Sequence, residues 1–187
     1  MRIIGIDPGT TITGIGIVEH KNRNICLIHY STINLNSKES LPVRLKKIYD
    51  ECMVCIEKYR PDEFAIETAF YGKNIQSTLK LGQARGVAII AALNSNLEIS
   101  EYSPREVKKS VTGNGASSKE HVKYMVRSIL SLSERFIETD SSDALAVALC
   151  HFYCRQNIVY SIQPKMKNNS WKYFIEKNPE RIKNQKI

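Results

Sequence analysis

No apolar run in this chain approaches the ~20 residues that a membrane-spanning helix needs. The N-terminus has no basic segment followed by an apolar stretch, so a secretory signal is not expected and a cytoplasmic protein is. No internal repeat occurs, so the fold is not expected to be a repeat array. Cysteines number five, an odd count that does not suit a disulfide framework. Cys52-x-x-Cys55 and the cluster Cys150, His151 and Cys154 have half-motif spacings. Both lie in helical patterns, where three- and four-residue steps simply mark one face, and neither sits in a glycine-bearing knuckle. Structural cysteine is therefore favoured over zinc. His20, His29, His121 and His151 form no ligand pattern and receive no role.

What is present is an ordinary globular composition. An apolar content of 42% excludes disorder throughout, and 187 residues suffice for one domain with a full core. The formal charge is +8, which favours polyanionic partners. Its distribution is uneven: from Pro164 onward the net charge is +5, while the rest of the chain carries only +3. We expect a domain over residues 1–160 and a basic tail over 161–187. Two readings of the tail stand side by side: a solvated extension, or a sequence-independent DNA tether acting through counterion release.

Periodicity predicts strands over residues 3–7, 13–19 and 25–35, joined as a meander with a polar hairpin loop at 21–24. A helix is expected from about 40 to 59, stopped by Arg60-Pro61. A strand at 63–67, a helix at 75–94, a strand at 97–102 and a short helix at 104–111 follow. Thr112-Gly113-Asn114-Gly115 reads as a flexible loop, Ser117 and Glu120 as a capping box, and a last helix starts near Asp140. The pattern implies an α/β sandwich with a mixed sheet. Gly82 and Gly86, four apart in a helix, suggest close approach of another element, either across a two-fold dimer contact or within the chain.

The acids carry the chemistry. Asp7 ends an apolar strand and is followed at once by Pro8-Gly9. Glu67 ends another, and Asp140 and Asp143 open an apolar helix. Asp7, Asp140 and Asp143 have a plainer reading: Asp-Pro-Gly is good turn chemistry, and Asp near a helix start satisfies free N–H groups. Glu67 resists that reading, because a carboxylate at the end of a buried strand needs a partner or a metal. Carboxylates from three distant places meeting at one edge suit one or two Mg²⁺ ions. Such ions stabilise the attacking and leaving oxygens in phosphodiester hydrolysis. Lys119, in the first turn of a helix, fits a phosphate-facing role. Phe70 and Tyr71 with Lys73 follow the Glu67 strand on a loop, which suits stacking on an unpaired base.

Four motifs, in order, resemble the RuvC family of Holliday-junction resolvases: Gly5-Ile6-Asp7-Pro8-Gly9, Ala65-Ile66-Glu67, Leu81-Gly82-Gln83-Ala84-Arg85-Gly86, and Asp140-x-x-Asp143-Ala144-Leu145-Ala146. The resemblance covers roughly residues 1–157 and has no counterpart in the tail. It implies a ribonuclease-H-like fold, a five-stranded mixed sheet flanked by helices. It also implies a homodimer that nicks four-way DNA junctions symmetrically, in recombination and repair, with Mg²⁺, two ions per subunit, and Mn²⁺ as a substitute. By the same resemblance Asp7, Glu67, Asp140 and Asp143 are catalytic metal ligands, Lys108 and Lys119 lie near the scissile phosphate, and Phe70 stacks at the crossover. The branch-migration proteins RuvA and RuvB are the implied partners. The opening motif also looks like the phosphate loop of the actin-like ATPases, which need two such lobes. A related nuclease acting on RNA ends and a non-catalytic junction-binding protein are the remaining alternatives.

Overall fold

The computed structural model describes residues 1–22, 24–68, 74–133 and 139–162. Its elements are β1 (Arg2–Asp7), β2 (Ile12–Lys21), β3 (Asn24–Asn34), α1 (Leu41–Tyr59), β4 (Glu63–Glu67), α2 (Ile75–Asn94), β5 (Glu98–Tyr102), α3 (Pro104–Thr112), α4 (Lys119–Ile129) and α5 (Thr139–Ile162). Met1–Cys154 form one compact unit, and the chain from Arg155 forms a second, of which only the α5 residues to Ile162 are described. The basic tail beyond them lies outside the described residues.

The sheet runs β3-β2-β1-β4-β5. β1 pairs antiparallel with β2 and parallel with β4, so it is the central strand of a mixed sheet. That position explains its unbroken apolar run, since a central strand is covered on both faces. Alternation along β1 divides its residues between two cores. Ile4 and Ile6, with Ile15 and Ile17 of β2, belong to the core formed with α1 and α2. Ile3 and Ala65 belong to the core formed with α3, α4 and α5.

The second face has an unusual surface. Gly5, Gly14 and Gly16 lie beneath α5, and no side chain fits there. A Cβ on Gly5 would collide with the Ala144 carbonyl oxygen, one on Gly14 with that of Asp140, and one on Gly16 would stand 2.6 Å from the Leu145 nitrogen. The glycines thus let the helix backbone rest directly on β1 and β2. Residues Ala144 to Cys150 are completely buried as a result, with α3 and α4 contributing to the same core.

Two local expectations need correction. The cap of α4 is Ser118, whose hydroxyl accepts from His121 N–H at 3.2 Å, and not Ser117. Ser117 is buried and bonds the Thr112 hydroxyl at 2.9 Å instead. The capping box occurs at Ser103 and Glu106, opening α3. The segment 112–115 is also tied down rather than free. Gly113 takes φ 80° to end α3, Thr112 Oγ1 accepts from Asn114 N–H at 3.2 Å, and Gly115 packs against Arg105.

Candidate active site

Strand parity aims two acids at one place. On β1 the residues facing α5 are Ile3, Gly5 and Asp7; on β4 they are Glu63, Ala65 and Glu67. Ile6 and Ile66 are paired in the parallel ladder, so Asp7 and Glu67 stand one step further, at neighbouring strand ends. Asp7 is also paired with Gly14, and the Asp140 backbone lies over Gly14. The glycine contact therefore delivers the start of α5, with Asp140 and Asp143, to the end of β1. The turn after Asp7 is fixed as well. Thr13 Oγ1 accepts from Gly9 N–H and donates to Gly9 C=O, both at 3.2 Å.

The acids feel one another. Burial, then the charges of Glu67 and Asp143, push the Asp7 carboxyl up to about 8, with Lys119 opposing. Burial and Asp143 push Glu67 up to about 7, opposed by Lys119 and Lys108. Burial also raises Asp143, against the pull of Lys119. Lys119 Nζ donates to Asp143 Oδ2 at 3.2 Å, and its own pKa is raised chiefly by that carboxylate. Asp140 adds to the field at Asp7 and Asp143 as a smaller contributor. The structure thus brings Asp7, Glu67, Asp143 and Lys119 into one electrostatic unit, with Asp140 and Lys108 at its margin.

Among the described residues, no three acids, histidines or cysteines close into a ready coordination sphere. The donor set nonetheless fits a hard divalent cation. All its ligating atoms are carboxylate oxygens, half-buried, and four acids outnumber the one cation, Lys119, that bonds among them. Lys108 lines a groove with Pro104, Arg105, Asn114, Gly115 and Ala116, beside the site. Arg105 and Asn114 in that groove have no sequence signal, because single polar residues near a loop carry no pattern. Phe70, Tyr71 and Lys73 lie outside the described residues.

Gly82 and Gly86 meet nothing within 4 Å, so close packing inside the described chain does not explain them. They form a stripe on α2 with Ile75, Leu79, Ile90 and Leu93, all exposed, Ile75 at 75%. His151, given no role from sequence, is buried between Glu63 and Tyr102. Its only sequence signal is an i, i+8 step from Asp143, which periodicity alone does not distinguish from core packing.

The sequence model of the family described as crossover junction endodeoxyribonuclease RuvC matches residues 3–151. The crossover junction endodeoxyribonuclease RuvC of Chloroherpeton thalassium is 46% identical over 182 residues, covering 96% of this chain and 98% of that protein. The solved structure of Thermus thermophilus RuvC superposes with a TM-score of 0.76 at 32% identity, covering 84% of this chain and 96% of that one. T. thermophilus RuvC in complex with Holliday junction substrate has the same score at 29% identity and the same coverage. With its motifs in order, its sheet and α5 in that arrangement, and matches along nearly its whole length, the chain belongs to the RuvC family of crossover junction endodeoxyribonucleases.

Proposed function

We propose that this chain is a metal-dependent endonuclease that resolves four-way DNA (Holliday) junctions by paired, symmetric nicks in recombination and repair. The observation that carries the reading is the half-buried cluster of Asp7, Glu67 and Asp143, which act on one another's charge beside Lys119. A cluster of like charges opposes a phosphate backbone unless cations intervene. Asp7, Glu67, Asp140 and Asp143 would hold those cations, Mg²⁺ in the cell, two per subunit. Bound there, they supply charge stabilisation to the attacking and leaving oxygens of an in-line displacement.

The protein's own groups do the rest. Lys119, 64% exposed, keeps one face toward solvent while bonding Asp143, so it both holds that carboxylate and offers its charge to the scissile phosphate. The groove at Lys108 and Arg105 carries the flanking backbone. Phe70, Tyr71 and Lys73 are assigned to the crossover on their sequence alone. The solved relative with Holliday junction substrate supports the substrate class.

Symmetric cleavage needs two sites, and the exposed α2 stripe supports a homodimer. Residues 75, 79, 82, 86, 90 and 93 recur at three- and four-residue steps, and the two glycines leave room for a second backbone. RuvA and RuvB are the further partners of this reading, the cytoplasm is its compartment, and the domain of residues 1–160 does the chemistry; the basic tail over 161–187 keeps both of its readings, a solvated extension or a DNA tether.

Incubation with a mobile four-way junction, a plain duplex and an RNA–DNA hybrid, with and without Mg²⁺, tests the class. Paired nicking of the junction alone, dependent on the metal, is expected. Equal cleavage of the hybrid, or cleavage without any divalent cation, would overturn it.

A further inference from the structure

α5 and β4 share a core, and one bond, between His151 and Glu63, joins them directly. On β4 the residues facing the helix are Glu63, Ala65 and Glu67; on α5, Asp143, Val147 and His151 form one i, i+4, i+8 row. Ala65 and Val147 are both fully buried in the same core. At one end, Asp143 is among the charges that raise Glu67. At the other, His151 Nε2 is bonded to Glu63 Oε2, with His151 only 3% exposed and Glu63 only 7%. The lengths agree. Four strand residues span about 13 Å and eight helix residues about 12 Å, so the Glu63–His151 bond and the Glu67–Asp143 pair are separated by matching lengths on the two elements.

Tyr102 closes the arrangement. It is paired with Glu67 in the β4–β5 ladder, and its carbonyl accepts from Thr68 N–H at 2.8 Å. Its hydroxyl meets His151 Nδ1 at 2.7 Å. With the imidazole proton on Nε2, the ring donates to Glu63 and accepts from Tyr102, so both nitrogens are used. Burial pushes the Tyr102 phenol up to about 12, which keeps it a hydroxyl donor. A Glu–His–Tyr chain with Glu63 and His151 buried and Tyr102 half-buried is costly unless satisfied, and hydrophobic residues would fill the same space. What it adds is direction: only one register of α5 on β4 satisfies it.

We propose that His151 is a positioning residue of the nuclease, which with Glu63 and Tyr102 sets the register of α5 on β4 and so places Asp143 opposite Glu67. The glycine contacts allow the helix to lie close, but a smooth surface resists sliding weakly. The polar chain at the far end supplies the lock. The proposal rests on the metal-site reading of Glu67 and Asp143.

The test is a Mn²⁺ titration of the full-length protein followed by electron paramagnetic resonance, beside junction affinity in chelator and single-turnover cleavage. His151→Ala should weaken Mn²⁺ binding about 10- to 100-fold, as loss of supporting partners does at metal sites. Cleavage should fall with it, while junction affinity in chelator stays within about 2-fold, the phosphate contacts being untouched. His151→Gln, which still offers an N–H toward Glu63, should recover most of the loss. A folded His151→Ala protein that melts earlier but binds Mn²⁺ as wild type does would overturn the proposal. Where the alanine variant does not fold, Tyr102→Phe decides. Weaker Mn²⁺ binding at unchanged junction affinity supports the lock, and unchanged Mn²⁺ binding sinks it. A wild-type protein that binds no Mn²⁺ at all would instead overturn the site reading itself, and the lock with it.

Discussion

The two faces of the central sheet are made by the same strands and have opposite characters. Toward α1 and α2 the sheet presents Ile4, Ile6, Ile15, Ile17 and Ile66, branched side chains that fill space. Toward α5 it presents Gly5, Gly14, Gly16, Ala65 and, at the strand ends, Asp7 and Glu67. The first face gains by burying methyl groups; the second gives up side-chain volume so that a helix bearing acids can lie on it. Burying Ile in place of Gly is worth ~2 kcal/mol per site in transfer free energy, so the second face is built for placement at some expense of stability. Space-filling side chains and strand-end acids are thus separated by one residue of strand register.

The comparison breaks most sharply at the acids. Asp7→Asn or Glu67→Gln should lower the cleavage rate on the order of 10³-fold or more, as removal of a group acting on transition-state charge does. Junction binding should persist or tighten. Without metal the same change should stabilise. Asp7 has a folded pKa of about 8 against an ordinary value of 3.8. Between those values the folded state holds more protons than the unfolded one, so stability falls as pH rises through that window. Below it the penalty vanishes, and above it the penalty is complete, on the order of a few kcal/mol. Melting of metal-free protein from pH 5 to 8.5 should therefore decline in the wild type and decline less in Asp7→Asn. A metal-free wild type with no such slope would contradict the crowded-acid picture.

Lys119→Ala should act next most strongly, lowering the maximal rate about 100-fold, comparable to losing one transition-state donor. Affinity should change much less, because one phosphate contact among many contributes modestly. A loss confined to affinity would make Lys119 an ordinary backbone contact.

Much of this division is legible in the amino-acid sequence. Alternation places Ile4 and Ile6 opposite Gly5 and Asp7, and the strand-end acids point to one edge. The element boundaries at β4 and α2 agree with the hydrophobic period because Arg60-Pro61 and Asn74 punctuate the chain there; Arg60 takes the left-handed conformation with φ 46° and Asn74 caps α2 with its side chain. What periodicity does not convey is depth. Gly14 and Gly16 read only as spacers in a strand, because the need for glycine comes from α5, 126 to 129 residues away in sequence (Gly14 to Asp140, Gly16 to Leu145). His151 is silent for the same reason: its partners, Glu63 and Tyr102, are distant in sequence and meet only once the sheet has formed. Ser117 and Ser118 show the opposite limit, where adjacent serines with equal capping chemistry are separated only by the local turn.

Gly14→Ala sharpens the comparison at intermediate size. The new methyl would press on the Asp140 carbonyl, which must shift. Overpacking of this kind costs typically ~1–3 kcal/mol, and here it should also lower the cleavage rate by moving Asp140 and Asp143. Ile6→Val on the opposite face should cost ~0.5–1.5 kcal/mol while the folded protein cuts normally. Chemical denaturation paired with single-turnover cleavage separates them. If both variants lose stability and neither loses rate, the two faces do not differ in the way described.

The smallest effect is expected on the outer surface, where a glycine has a different reason to be present. Gly82 lies in the interior of α2 and meets nothing within 4 Å, so no contact within the described chain requires it. Replacing it with alanine should favour the helix by ~1 kcal/mol, since alanine loses less backbone entropy. A gain that simple would leave Gly82 unexplained unless something outside the described chain needs the space. On the homodimer reading, a second α2 crosses there, and the added methyl holds the two helices apart. Gly82→Ala should then raise the melting temperature at low protein concentration, where monomers dominate, and weaken the dimer by several-fold, on the order of 1 kcal/mol of association. Sedimentation equilibrium beside thermal melts reads both quantities. Paired nicking should become less concerted, with more junctions cut once, because the second site is engaged less often. Should Gly82→Ala stabilise the monomer and leave its association constant unchanged, the two-fold contact lies elsewhere, and the apolar stripe from Ile75 to Leu93 serves another surface.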